Sequence, residues 1–145
     1  MSRTSQALCV FYALVAITAL IMTWSQNLLY FMGPSPAGFG QYILDLKVNG
    51  AARSFTVDLG LFLLAATGLM VVEARKLDVR FVWLYVILGF AIAISVTFPL
   101  FLIAREMRLA KTESTPSAVK LTALDITGLA LTTIVVLAMC GFILT

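Results

Sequence analysis

Apolar positions do not alternate with polar ones along most of this chain; they run together. Four such runs, approximately Ala7 to Trp24, Phe55 to Val72, Phe81 to Ala104 and Leu121 to Leu144, approach the length needed to cross a hydrocarbon layer, which takes about 20 helical residues for roughly 30 Å. Each run is predicted helical, because lipid offers no partner to a free backbone amide and four spans are too few for a closed barrel. The first run could also be read as a cleaved signal peptide. It exceeds the usual apolar length of one, about 7 to 15 residues, and Thr23-Trp24-Ser25 is a poor cleavage site, so a retained anchor is expected.

The connections differ in kind. Residues Glu73 to Arg80 form a short charged turn that should link neighbouring antiparallel helices. Residues Arg105 to Lys120 form a basic polar loop with Thr115-Pro116-Ser117, suited to stopping one helix and starting the next. The segment from Ser25 to Ser54 is long for a loop in a compact bundle. It is broken by Gly33-Pro34-Ser35-Pro36, after which Phe39, Tyr42, Ile43 and Leu46 recur with helical spacing. This predicts a short amphipathic helix over about 37–48, with Gln41 and Asp45 on its polar face and Asn49-Gly50 as the closing turn. It serves either as an interfacial helix on the bilayer surface or as a lid over a lateral opening between spans. The expected fold is thus an all-α, single-domain membrane bundle of four transmembrane helices with one interfacial helix.

Composition supports a lipid solvent. The 145 residues are 61% hydrophobic and 12% charged, against about 25% charged in soluble domains. The formal net charge is +3, but the basic residues flank the apolar runs instead of forming one stripe, so no nucleic-acid partner is expected. There is no histidine, which removes His-ligated metal centres and His-based triads, and neither a metal nor another cofactor is expected. With four straight spans, Arg3, Arg75, Lys76 and Arg80 share one face, and Lys47, Arg53, Arg105, Arg108, Lys111 and Lys120 the other. That division hardly decides the orientation, with a slight lean toward the second face being cytoplasmic.

Phe55-Thr56-Val57-Asp58 opening a span, Glu73-Ala74-Arg75-Lys76 leading to Trp83, and Phe98-Pro99-Leu100-Phe101-Leu102 followed by Arg105-Glu106 together resemble a bacterial family of small membrane proteins, domain of unknown function 2834, over about residues 27–106. The resemblance implies a small multi-span protein, placed in the bacterial inner membrane, and no assigned activity. The run from Leu121 to Leu144 departs from the family pattern.

Candidate chemistry is sparse. Asp58 and Asp125 are ionisable residues inside predicted spans, which are costly and often functional. Each is read either as a helix-start carboxylate or as part of a polar site with Ser95, Thr97, Arg105 and Glu106. Pro99 should kink the third span by crowding the Ser95 carbonyl. Gly89, Ala93 and Thr97 recur every fourth residue and should form a helix-packing stripe, as should Cys9, Ala13 and Ala16 on the first span and Asp125, Gly128 and Thr132 on the fourth. Cys9 and Cys140 are expected to stay unpaired, and Trp24 and Trp83 to anchor opposite interfaces. No Walker loop, dinucleotide fingerprint or nucleophile elbow is present. The expected role is a non-enzymatic accessory or lipid-binding component, with membrane lipid, other membrane subunits or a second copy as partners. The alternatives are a membrane enzyme using carboxylates on an isoprenoid or lipid, and a small transporter.

Overall fold

A computed structural model describes residues 1–33, 36, 38–111, 123, 127 and 134. The described residues form helices and connections without strands: α1 Arg3–Met32, α2 Phe39–Asp45, α3 Gly50–Leu77, α4 Val82–Ala91 and α5 Ile94–Leu109. Most of the expected fourth span, with Asp125, Gly128, Thr132 and Cys140, lies outside the described residues. Two helices, α1 and α3, are long and apolar enough to cross a membrane.

Both long helices overrun their apolar runs because their ends are capped. The Ser2 hydroxyl accepts from the Ser5 amide at 3.1 Å at the start of α1, and the Asn49 side chain accepts from the Ala52 amide at 2.8 Å at the start of α3. Asn49-Gly50 therefore starts α3 rather than closing the helix before it. That helix, α2, is shorter than expected, seven residues. It is tied to the end of α1 through Tyr42, whose ring centroid lies 5.6 Å from that of Tyr30 and 5.4 Å from that of Phe31, and through a hydrogen bond from the Tyr30 hydroxyl to Asp45.

The largest departure from the sequence reading is in residues 81–104, expected as one continuous span kinked at Pro99. The helix breaks at Ile92-Ala93, where Ala93 takes an extended conformation with φ −178° and ψ 141°, and the chain turns back on itself. Tyr85 on α4 and Phe101 on α5 have ring centroids 5.8 Å apart, whereas the same residues in a continuous helix would be about 24 Å apart at 1.5 Å per residue. At the base of this hairpin an Arg108 guanidinium nitrogen lies 3.9 Å from Asp78. The expected kink at Pro99 is replaced by this break upstream, and α5 continues through Pro99 as a helix. One missing amide does not end a helix, while the extended Ala93 does. At the start of α5 the Ala93 carbonyl accepts from the Val96 and Thr97 amides at 3.1 and 3.2 Å and from the Thr97 hydroxyl at 3.4 Å.

The core lies where the hairpin meets α3. Ala66, Met70 and Ala74 of α3, Val82 and Val86 of α4, and Ile94 and Phe101 of α5 form one buried cluster. Gly89 and Thr97, expected on one face of a single helix, meet across the hairpin. A Cβ on Gly89 would sit 3.0 Å from the Thr97 hydroxyl, 3.4 Å from Ile94 Cδ1 and 3.7 Å from Leu63 Cδ1, so glycine lets α4 and α5 close on each other below the turn. Gly89→Leu is accordingly expected to cost about 1–3 kcal/mol through overpacking. Ile87→Leu, at a position 62% exposed, should cost under about 0.5 kcal/mol. Thermal unfolding of the two variants in detergent measures the difference, and equal shifts would show that the hairpin does not close at Gly89.

Candidate functional site

The fold-back decides which charges meet. With α5 returning antiparallel to α4, its last turns arrive beside the end of α3 and the start of α1. There Arg105 Nε donates to Glu73 Oε2 at 2.8 Å and Arg105 Nη1 to Glu106 Oε1 at 3.3 Å. The Ser5 hydroxyl donates to Glu106 Oε2 at 2.8 Å, and Lys76 Nζ to Glu73 Oε1 at 3.3 Å. Every carboxylate oxygen of Glu73 and Glu106 thus has a donor within the protein. The side chains of Glu73 and Glu106 are only 16% and 14% exposed, against 31% for Arg105, so the ionic contacts are partly desolvated and stronger than an exposed pair. Chemically the cluster is a clamp. One guanidinium joins α3 to α5, and one hydroxyl joins α5 to α1.

The other expected site residues are distributed differently. Asp58 is exposed on α3, a full fifteen residues or roughly 22 Å of helix from Glu73, and does not meet Arg105. Nor does it cap α3, which Asn49 does. Thr97 is buried at the Gly89 contact, Ser95 is exposed beside it, and Asp125 lies outside the described residues. Cys9 is half-buried with a free thiol. Asp45 on α2 forms a separate polar contact, in which the Tyr30 hydroxyl and then the Gln41 amide hold its carboxyl below the usual range. Glu73, Lys76 and Ser5 are the site residues that the candidate set drawn from the sequence leaves out. A straight span puts Glu73 and Arg105 on opposite sides of a membrane; an acid at the very end of an apolar run, with a basic residue at the end of the next, is the signal that could have paired them.

Among the described residues the basic side chains also sort by end. Arg3, Arg75, Lys76, Arg80, Arg105, Arg108 and Lys111 gather where α1 starts and α3 and α5 finish, whereas Lys47 and Arg53 lie at the opposite end, near the start of α3.

A family model described as Protein of unknown function DUF2834 matches residues 11–107. The chain belongs to DUF2834. The DUF2834 match takes in most of α1, all of α2 to α4, and α5 just past Glu106, so it contains the hairpin and the Glu73, Arg105 and Glu106 contacts while leaving out Ser5. It begins earlier than the resemblance at 27–106 and ends at nearly the same place. No curated protein and no solved structure matches the chain.

Proposed function

We propose that this DUF2834 protein is a multi-pass protein of the bacterial inner membrane that acts as a non-enzymatic accessory or lipid-binding component. The observation that carries the reading is uncovered apolar surface: only 6% of the apolar stretch of α1 and 17% of that of α3 is buried within the protein. Helices this long and apolar in a water-soluble fold would be covered by it, so lipid or a neighbouring membrane subunit is the natural partner of these faces. The hairpin suits the same solvent. Its ten-residue first arm reaches about 15 Å, half of a hydrocarbon layer of roughly 30 Å, and its turn is backed by protein at buried Ile94 and Thr97, the condition under which a re-entrant turn is tolerated. In this arrangement α1 and α3 are the spans, and α4 and α5 enter and leave on one side. The excess of lysine and arginine on that side makes it cytoplasmic.

The non-enzymatic part of the reading is supported by the saturated clamp, whose carboxylates are occupied by Arg105, Lys76 and Ser5. An acid or base catalyst needs a proton position open to substrate.

Three single-cysteine variants, Val48→Cys, Lys76→Cys and Lys111→Cys, made with Cys9 and Cys140 replaced by serine, test the arrangement by labelling with a membrane-impermeant thiol reagent. Val48 should label in intact cells, and Lys76 and Lys111 only after the membrane is opened. Labelling of Lys76 and Lys111 from opposite sides would replace the hairpin with a straight span. Carbonate extraction and native mass spectrometry test the role: the protein should stay with the membrane and carry lipid or subunit adducts. A carbonate-extractable bare monomer would overturn the reading.

A further inference from the structure

The turn joining α3 to α4 has features that the clamp does not use. Asp78 and Phe81 both take left-handed backbone conformations, with φ of 51° and 61°. Aspartate accepts this readily, but a bulky aromatic does so only at a cost in strain. The strain at Phe81 does not serve the core, since its ring is 77% exposed, and Trp83 two residues on is 55% exposed. Between them and the end of α3 lies a cleft of about 490 Å³ lined by Arg75, Asp78, Arg80, Phe81 and Trp83 among others. Asp78 has Arg108 beside it. Arg75 and Arg80 are exposed and, among the described residues, have no ion-pair partner. The cleft is therefore lined by two arginines without an ion-pair partner among the described residues and by two exposed aromatic residues.

The geometry points to a binding site for the headgroup of an anionic phospholipid at this turn, in the cytoplasmic leaflet. This rests on the membrane reading above, which places residues 74–84 at headgroup depth, just beyond the apolar run ending at Val72 and where the hairpin enters the layer. A phosphodiester is an anion that planar guanidinium groups pair with in bidentate fashion. Phe81 and Trp83 suit the glycerol and upper acyl region next to it. A free phosphate would satisfy the arginines alone, whereas a lipid satisfies charge and rings together. The left-handed conformation at Phe81 then has a use, because it holds the ring outward toward the lipid.

The experiment uses the full chain, solubilised in a neutral detergent and titrated in native mass spectrometry with phosphatidylglycerol or phosphatidylcholine of matched acyl chains. The wild type should bind phosphatidylglycerol about tenfold more tightly, as two interfacial arginines imply at low ionic strength. Arg75→Gln with Arg80→Gln should bring the two lipids to within about twofold, while Lys47→Gln at the opposite end keeps the wild-type preference. Circular dichroism of the double variant should show unchanged helix content, and a wild type without preference overturns the site whatever the variants do. Inorganic phosphate at millimolar concentration should leave phosphatidylglycerol binding unchanged; displacement would make this a free-anion site and overturn the lipid assignment. Failure of carbonate resistance would sink the membrane reading and the lipid site together, whereas a carbonate-resistant protein without headgroup preference would sink the lipid site alone.

Discussion

Phe101→Ala is expected to remove about 3–5 kcal/mol of stability, the range for deleting a buried aromatic side chain, with the lower part of that range expected in detergent, where apolar surface is not solvated by water. Phe101 is fully buried. It belongs to α5, yet its ring is packed edge-on against Tyr85 of α4 and sits in one cluster with Met70 of α3. The side chain thus joins both arms of the hairpin to the long helix behind them. The cavity left by alanine cannot be filled by sliding one helix, because the Gly89 contact already holds the arms together near the turn. Phe90→Ala on the outer face of α4, 73% exposed, should cost no more than about 0.5 kcal/mol. Denaturant titration in mixed micelles measures both. Similar losses for the two would mean that α4 and α5 do not pack as a hairpin.

That hairpin is also where sequence and structure part. The helices α1 and α3, long and apolar enough to cross a membrane, are legible because each follows a long apolar run, and the start of α3 is signalled by Asn49. Residues 81–104 read equally well as one span because reversal here needs no turn residue. Ile92-Ala93-Ile94 contains no glycine, proline or asparagine, and a single extended residue, Ala93, reverses the direction. What specifies the reversal is tertiary: the close approach at Gly89, the Phe101 contact, and the charges that meet at the base. Gly89, Thr97 and Pro99 stand out in the sequence, but helical periodicity assigns Gly89 and Thr97 to one face of one helix, whereas the fold sets them opposite each other.

The charge pattern shows the same dependence on topology. A basic count over straight spans divides almost evenly and hardly orients the chain. Folding residues 81–104 back moves Arg105, Arg108 and Lys111 to the end of the fold that holds Arg3, Arg75, Lys76 and Arg80, so the described basic residues no longer divide evenly between the two ends. Glu73 and Arg105 stand at the ends of neighbouring apolar runs, but their pairing becomes visible only with the reversal, since sequence distance measured along a straight helix separates them. Asp58 illustrates the converse. In the sequence it reads either as a helix-start carboxylate or as part of a polar site, and in the fold it is exposed on α3 at the end away from the clamp.

Arg105→Met should be the most damaging polar substitution. It strands Glu73 Oε2 and Glu106 Oε1 together, two carboxylates that are mostly shielded from solvent and that Arg105 bridges, leaving only the exposed Lys76 on Glu73. Breaking a fully buried pair costs roughly 3–5 kcal/mol. With Arg105 about one third exposed, a loss of about 2 kcal/mol is expected after allowing for solvent screening. Lys76→Met removes a donor whose side chain is 66% exposed, and should cost no more than about 0.5 kcal/mol. The diagnostic variant is the triple one, Glu73→Gln with Arg105→Met and Glu106→Gln, which deletes the charges along with the guanidinium. If the loss in Arg105→Met comes from stranded acids, the triple variant should recover more than half of it, since neutral amides are much cheaper to leave in a low-dielectric site. Denaturation midpoints of the variants in the same detergent decide the matter. A triple variant as weak as Arg105→Met would assign the loss to missing arginine packing, and equal effects of Arg105→Met and Lys76→Met would show that the three helices are not clamped through Arg105.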